Sequence, residues 1–175
     1  GWIEAMVEQV QRSSIGAVGA QLFYPDDTVQ HAGVVLGIGG VAGHGHKYYA
    51  RGDKGYISQL VSTNNYSAVT AACLMCRREA FLQAQGFDES LAVAFNDVDF
   101  CLKLMQLGYR NVYLPHVQLY HHGSKSRGCE NTPQKQQRFL QEQQIMRQKW
   151  SHLLQNDPCY SPHLTLDRED FGLRV

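Results

Sequence analysis

The first part of the chain changes from a helical to an extended spacing of its hydrophobic positions. The apolar side chains of residues 2–10 recur with the period of an amphipathic helix. Two apolar runs, residues 16–23 and 33–38, then predict strands, and the proline and aspartates between them predict a turn. Residues 39–65 are rich in glycine and polar side chains, which predicts a long loop.

The middle of the chain predicts a strand, a short helix and a further strand. Residues 67–76 form an apolar run with the length of a buried strand, and residues 79–84 follow it as a short helix. Residues 111–122 predict a strand that is interrupted at Pro115.

The last long helix is predicted to start with Thr132 as its N-cap and Pro133 in its first turn. The tail from Asp157 is rich in proline and turn residues, so we expect it to lie extended across the surface. Because the chain contains no repeat and no low-complexity linker, we expect one α/β unit.

The stretch FNDVDFCLKLMQLGYRN predicts a helix that begins at Asn96 as N-cap and ends at Gly108. At about 100° per residue, its apolar side chains cover a wide arc and leave a narrow polar stripe. Asp99 lies on this stripe, where we expect it to be solvated and within reach of Lys103 one turn later. Asp97, in contrast, falls near the middle of the apolar arc.

A carboxylate in that arc must be paired, hydrogen-bonded or turned to a polar cleft, since an unpaired buried charge costs several kcal/mol. The residues alone leave two interpretations of Asp97 open. It is either an acid near a helix N-terminus, where the helix dipole favours it, or a general base at the mouth of a cleft.

Composition excludes several classes of protein. With 43% hydrophobic and 18% charged residues the chain is globular, and its formal net charge of +0 provides no field that attracts nucleic acid or an anionic membrane. The longest apolar run, residues 32–43, is too short and too rich in glycine to span a bilayer. The five cysteines are odd in number and no signal peptide opens the chain, so we expect a reducing, cytoplasmic compartment.

A glycine-rich segment in the long loop resembles a nucleotide-binding pattern without its context. GIGGVA, residues 37–42, fits a relaxed dinucleotide motif, but the sequence after it is not helical. No helix N-terminus is therefore available for a pyrophosphate, and we discard nucleotide binding there. We expect His44 and His46 in the same loop to be solvated.

A second polar loop follows the last predicted strand. His121 and His122 end that strand, and side chains at the carboxyl ends of strands in open α/β sheets point into the ligand crevice. His121 could offer a neutral imidazole to a divalent ion. Ser124, Ser126 and Arg127 could hold phosphate oxygens, the arginine in bidentate fashion. Taken alone, an exposed polar turn is the better interpretation of this loop.

Three segments together resemble a known family. TAACLMCRREAF, GFDESLAVAFNDVDFCLKL and LYHHGSKSRG resemble, in order and spacing, the acceptor half of family 2 glycosyltransferases with the GT-A fold. The closer likeness is to the bacterial rhamnosyltransferase-like enzymes that build cell-surface polysaccharide. QHAG and DPCYSPHLTLD are also similar to segments of these enzymes, so the resemblance covers nearly the whole chain.

The resemblance implies a role for the candidate residues. Asp97 matches the catalytic base of the family, although Asn96 stands where the family usually has Glu. His121, with Ser126 five residues later, matches the family's metal site and implies a divalent ion, Mg or Mn, as cofactor. The candidates for binding the donor diphosphate or the acceptor are Ser124, Ser126, Arg127, Thr70 and Asn96.

The resemblance also implies a partial GT-A fold, an α/β fold in which helices flank a mixed sheet and the N-terminal nucleotide-binding half is absent. That half ends in an Asp-x-Asp motif just before a helix like residues 2–10, and no such motif precedes the helix in this sequence. We therefore expect a single incomplete domain. Residues 1–132 would form the acceptor half with the base helix and the metal-binding histidine, and residues 133–175 the C-terminal helix and tail.

Three hypotheses about function follow. The leading one is a fragment of an inverting, divalent-metal-dependent glycosyltransferase, inactive when isolated, that acts between a nucleotide-sugar donor and a saccharide acceptor. It would be cytoplasmic or peripheral at the inner face of the bacterial membrane, with no membrane span and no nucleic-acid partner. The second is a non-catalytic carbohydrate-binding module that stacks sugars on Tyr48, Tyr49 and Trp150. The third is a metal-dependent hydrolase that uses the histidines.

Overall fold

A computed structural model describes residues 1–123 and 132–174, so the candidates Ser124, Ser126 and Arg127 lie outside the described residues. The helices and strands of the described residues, in chain order, are α1 (Trp2–Val10), β1 (Ile15–Phe23), β2 (Val29–His31), β3 (Val34–Leu36), β4 (Ala42–His44), β5 (Asn64–Tyr66), β6 (Leu74–Cys76), α2 (Arg78–Gln83), α3 (Asn96–Gln106), β7 (Arg110–Tyr120) and α4 (Pro133–Gln155).

A mixed five-stranded sheet forms the centre of the fold. β1 runs parallel to β7, in a register from Ile15 opposite Arg110 to Phe23 opposite Tyr120. β2 and β6 pair antiparallel with β1, and β5 pairs antiparallel with β7. A separate antiparallel pair joins β3 to β4. The resemblance therefore predicted the α/β class and the mixed sheet correctly.

Helices cover both faces of β1, all of whose residues are buried. Val18, Ala20 and Leu22 point to the face covered by α1 and pack in one cluster with Met6. Ala17 belongs to a second cluster, on the other face, that includes α3 and α4. Because alternate side chains of a strand point to opposite faces, a strand buried on both faces has a continuous apolar sequence, as residues 16–23 do.

Gly19 in the middle of β1 allows a close contact with the segment that leads to β6. A Cβ at this position would lie 2.5 Å from the Cβ of Val69, closer than side-chain atoms approach each other. Glycine is therefore required at position 19, where the segment that contains Val69 packs against β1.

The two ends of α3 agree only in part with the sequence pattern. Gly108 adopts φ +87° just after the helix, and the N–H of Tyr109 donates to the carbonyl of Leu104 (3.1 Å), which confirms the predicted helix end. Asn96 is the first residue of the helix and not its cap, because the capping position belongs to Phe95 with φ 62°.

Asp99 is fully buried, so the prediction that it is solvated is wrong. Its Oδ1 accepts a hydrogen bond from the indole N–H of Trp150 (2.9 Å) and lies 2.6 Å from Lys149 Nζ. Lys103 Nζ lies 3.2 Å from Oδ2, which confirms the predicted pairing one turn later. The helical pattern of α3 identified a polar stripe, but α4 covers that stripe, so ammonium groups instead of water stabilise the carboxylate.

Two other segments differ from the expected elements. Residues 39–65 were predicted to form a loop, yet they contain β4 and two short 3₁₀ turns, Ile38–Gly40 and Tyr56–Ser58, and reach the start of β5. Within residues 67–76 only Leu74–Cys76 pairs as a strand, because the preceding Ala71–Cys73 forms a 3₁₀ turn. Short helix α2 and the Thr132 cap of α4, which accepts the N–H of Lys135 (3.3 Å), are confirmed.

The tail after α4 folds back onto the core instead of lying extended on the surface. Asp157 is the anchor, because its carboxylate accepts hydrogen bonds from the N–H of Leu36 (2.7 Å) and from the hydroxyl of Ser67. Beyond it, Leu164 and Phe171 are buried in a cluster with residues of the sheet. These apolar residues, separated by polar ones, explain why the sequence pattern suggested an exposed tail.

Candidate active site

The candidate residues that the structure describes lie toward one end of the central sheet. β7 ends at Tyr120, opposite the last residue of β1, and His121 follows directly. α3 precedes β7 and returns into it through the turn at Gly108, so the first residues of α3 point toward the end where β7 finishes. This is the strand end at which open α/β folds usually bind ligands.

Asp97, in the first turn of α3, is held by two backbone groups. Its Oδ2 accepts the N–H of Ala71 (2.9 Å), and its Oδ1 accepts the N–H of Val98 (2.9 Å). These two bonds orient the carboxylate, and the residue is half-buried, so it keeps part of its exposure to solvent. Of the neighbouring candidates, Asn96 is half-buried, and Thr70 uses its hydroxyl to cap the turn that presents Ala71.

His121 is exposed, and Gln30 of β2 fixes its orientation. The ring Nδ1 of His121 lies 2.6 Å from Oε1 of Gln30, and Nε2 of Gln30 donates to the carbonyl of His121 (3.1 Å). An amide oxygen only accepts hydrogen bonds, so the proton of the neutral imidazole lies on Nδ1 and Nε2 keeps its lone pair. A metal-binding histidine has this arrangement, in which a second residue fixes the tautomer and the other nitrogen binds the ion.

A pair of histidines lies beside these residues. His31 of β2 is fully buried, and its Nδ1 lies 2.9 Å from Nδ1 of His44 at the end of β4. Burial lowers the pKa of His44 to about 4; the negative charge of Asp97 opposes that shift, and His121 adds to it. His44 is therefore a neutral imidazole at pH 7.

Two pairs of consecutive residues connect the base candidate to the metal-binding candidate. In the first pair, Gln30 contacts His121 and is followed by His31. In the second pair, Thr70 is followed by Ala71, whose N–H binds Asp97. The two pairs are joined because Nε2 of His31 accepts the N–H of Thr70 (3.4 Å). Asp97 and His121 are thus joined through a continuous set of hydrogen bonds and peptide units.

The structure shows that His46 and Trp150 are buried, against the expectations that His46 is solvated and that Trp150 stacks on a sugar. His46 is fully buried and stacked on Phe171 (ring centroids 4.0 Å apart), and its Nε2 accepts the N–H of Tyr56 (3.0 Å), so it is not solvated. Trp150 is only 3% exposed and cannot stack on a sugar, whereas Tyr48 is 63% exposed. The expected stacking surface of a carbohydrate-binding module therefore loses its largest ring.

The described residues contain neither a cluster of metal-binding side chains nor a helix suited to span a membrane. Within residues 1–123 and 132–174, no three His, Cys, Asp or Glu side chains converge in a group that could hold a metal ion. In the same residues no helix is long and apolar enough to cross a membrane.

The sequence patterns did not indicate that Gln30, His31 and His44 lie at the candidate site. His44 was expected to be solvated, and neither of the other two carries a spacing that predicts chemistry. The segment QHAG, which contains Gln30 and His31, resembles a segment of the glycosyltransferases, but the resemblance assigns no function to its residues. Their contacts come from pairing between strands and loops that are distant in sequence.

The chain matches known proteins over most or all of its length. A family model described as "Glycosyl transferase family group 2" matches residues 20–159. The protein y4gI of Sinorhizobium fredii, described as uncharacterized, is 51% identical over 173 residues, which are 98% of this chain and 19% of that protein. The O-antigen biosynthesis protein RfbC of Myxococcus xanthus is 40% identical over 177 residues, which are 99% of this chain and 13% of that protein.

A shorter match adds a relative with a named reaction. An N-acetylglucosaminyl-diphospho-decaprenol L-rhamnosyltransferase of Mycobacterium tuberculosis is 38% identical over 60 residues, which are 34% of this chain and 20% of that protein. The chain thus spans about a fifth or less of the length of the first two relatives, and its matched segment spans a fifth of the third. The family match begins within β1 and continues past α4, so it includes every candidate residue discussed above. The chain belongs to the family 2 glycosyltransferases.

Proposed function

We propose that this chain forms the acceptor-side part of an inverting, divalent-metal-dependent glycosyltransferase of GT-A fold. The enzyme would move a sugar from a nucleotide-sugar donor to a hydroxyl of a saccharide or polysaccharide acceptor. One observation carries the proposal: an oriented, half-buried carboxylate, Asp97, is connected through hydrogen bonds and two peptide units to an imidazole, His121, whose Nε2 has no partner among the described residues. The names of the relatives support a role in cell-surface polysaccharide synthesis.

Asp97 acts as the general base in this proposal. It takes the proton of the acceptor hydroxyl as that oxygen attacks the anomeric carbon of the donor sugar. The attack occurs on the face opposite the leaving nucleoside diphosphate, so the configuration of the anomeric carbon inverts. The N–H groups of Ala71 and Val98 hold the carboxylate in one orientation, which reduces the entropy lost on reaching the reactive geometry.

Among the described residues, His121 could supply one ligand of the proposed metal site. His121 would supply a nitrogen ligand through Nε2, because Gln30 occupies its other ring nitrogen. A bound Mg²⁺ or Mn²⁺ would neutralise the negative charge of the diphosphate. Such hard ions prefer several oxygen ligands, so one imidazole does not form a complete site. By the family resemblance, the other ligands would come from an Asp-x-Asp motif outside residues 1–175.

Replacing His121 with alanine is expected to raise the Mn²⁺ concentration for half-maximal transfer by about tenfold or more, since it removes a metal ligand. The measurement is a manganese titration of sugar transfer by the protein that contains this chain. His122→Ala is the matched control, because His122 is an exposed neighbour that makes none of the contacts described for His121. Equal shifts in both variants, or none in His121→Ala, would remove His121 from the metal site.

The two alternative functions have less support. A non-catalytic carbohydrate-binding module would be favoured if Asp97 accepted a backbone hydrogen bond and were also shielded from solvent. Asp97 accepts the N–H of Ala71, but the residue is only half-buried. A metal-dependent hydrolase needs three converging ligands, and the described residues contain no such group. Transfer to an acceptor sugar, as opposed to release of free sugar into water, separates the transferase from the hydrolase.

We further propose that the nucleotide-binding half lies outside this chain, with residues 1–132 as the acceptor half and residues 133–175 as a C-terminal helix and tail. A position in the cytoplasm or at the inner face of the membrane would suit a nucleotide-sugar donor. The isolated chain is then expected to bind no nucleotide sugar, because the groups that hold the nucleotide would lie in the other half. It is also expected to transfer no sugar, because positioning of donor and acceptor contributes roughly 7–11 kcal/mol to such reactions. Calorimetric titration with manganese and nucleotide sugars tests this, and micromolar binding would contradict it.

A further inference from the structure

The hydrogen-bond partners of His31 determine which of its nitrogens carries the proton. Its Nε2 lies 3.4 Å from the backbone N of Gly33 and 3.4 Å from that of Thr70. Both backbone groups can only donate, so Nε2 must be an acceptor without hydrogen. Burial holds the pKa of His31 well below its usual value, so the ring is neutral and carries its single N–H on Nδ1.

This tautomer of His31 fixes the tautomer of His44. The Nδ1–H of His31 donates to Nδ1 of His44 across 2.9 Å. His44 is also neutral at pH 7, because burial lowers its pKa to about 4. Its own proton must then lie on Nε2, and no group in the described part of the chain accepts a hydrogen bond from that nitrogen. His44 is half-buried, and its Nε2 is not among the fully buried polar atoms of the described residues that lack a partner, so this N–H has contact with solvent.

That space adjoins the carboxylate of Asp97. The two consecutive amides of Thr70 and Ala71 bind His31 and Asp97, respectively, so the histidine pair and the carboxylate attach to the same turn. The negative charge of Asp97 also raises the pKa of His44, against the larger effect of burial. A ligand hydroxyl that reaches Asp97 therefore brings the rest of its sugar ring close to His44.

We propose that His44 donates a hydrogen bond from Nε2 to a hydroxyl oxygen of the saccharide acceptor, and that His31 is the positioning residue that fixes this donor. The inference rests on the proposed function, since it assumes that Asp97 contacts the acceptor. A neutral N–H matches a neutral sugar hydroxyl, whereas a diphosphate is usually bound by charged groups such as Arg and Lys. The acceptor is therefore the better partner than the donor diphosphate.

Steady-state kinetics of the protein that contains this chain provide the first test. His44→Phe keeps a ring but removes both nitrogens, and it is expected to raise the acceptor KM roughly three- to tenfold, the usual effect of one hydrogen bond. The donor KM should change less than about twofold in the same variant. His44→Gln, which keeps an N–H at a similar reach, should restore most of the loss. A rise in the donor KM alone, or no recovery with glutamine, would overturn the assignment.

Nitrogen-15 NMR of the histidine rings tests the inference without turnover. The expected result is N–H on Nδ1 of His31 and on Nε2 of His44, with the His44 signal shifting when methyl hexosides are added as acceptor probes. The signals are assigned by their loss in His31→Gln and His44→Phe. A proton on Nδ1 of His44, or no shift with any methyl hexoside at tens of millimolar, would overturn the inference. If the protein transfers no sugar, the proposed function fails, and the NMR result still decides the role of His44.

Discussion

Asp97→Asn is expected to reduce kcat for sugar transfer by about 10²-fold or more, while the Kd of the nucleotide-sugar donor stays within a few-fold. Asparagine has nearly the same shape as aspartate, and its amide oxygen can still accept the N–H of Ala71. It cannot take a proton from the acceptor hydroxyl. Because a general base acts in the transition state and not in donor binding, the loss should be confined to turnover.

The measurement pairs steady-state transfer rates with donor binding in the same preparation. Asp167→Asn provides the control, since Asp167 is an exposed aspartate of the tail. We expect this control to keep its full rate. If Asp97→Asn kept a kcat within a few-fold of the unchanged protein, Asp97 would be an acid that only stabilises the start of α3.

Trp150→Ala is expected to lower the free energy of unfolding by about 3–5 kcal/mol, the usual cost of truncating a large buried aromatic side chain. Trp150 is 3% exposed and its indole N–H donates to Asp99, which is itself fully buried. The substitution therefore leaves a cavity between α3 and α4 and removes a donor from a buried carboxylate. Denaturant unfolding followed by far-ultraviolet circular dichroism gives the value.

The second tryptophan of the chain is a matched control. Trp2 on α1 is 45% exposed, so Trp2→Ala should cost less than about 1 kcal/mol. Equal losses in the two variants would contradict the arrangement in which α4 covers the polar stripe of α3.

The elements that the sequence predicted well are those with strong local signals. The period of residues 2–10, the continuous apolar run of β1, Gly108 after α3 and the Thr132 cap each depend on neighbours in sequence. The burial of Asp99 could not be predicted in this way. A helical pattern describes which side chains share a face, but it does not reveal that a helix about forty residues later covers the polar face.

The same distinction applies to the candidate site. The resemblance predicted Asp97 and His121 as candidates because they lie in recognisable segments, and their roles remain predictions. The turn at Ala71 was predicted as part of a strand, because the apolar run gave no sign that the N–H of Ala71 binds a carboxylate 26 residues away. His44 and His46 lie in a glycine-rich segment that the sequence pattern presents as solvated, yet His44 contacts His31 of β2 and His46 stacks on Phe171 of the tail.

Identifying by NMR the product that forms from a nucleotide sugar and a saccharide acceptor tests the proposed sugar transfer directly. The protein that contains this chain is compared with its Asp97→Asn variant. The expected product contains a new glycosidic bond to the acceptor with inverted configuration at the anomeric carbon, and the variant is expected to form it about 10²-fold more slowly. Release of free sugar without an acceptor product, a retained configuration, or equal rates for the two proteins would contradict it.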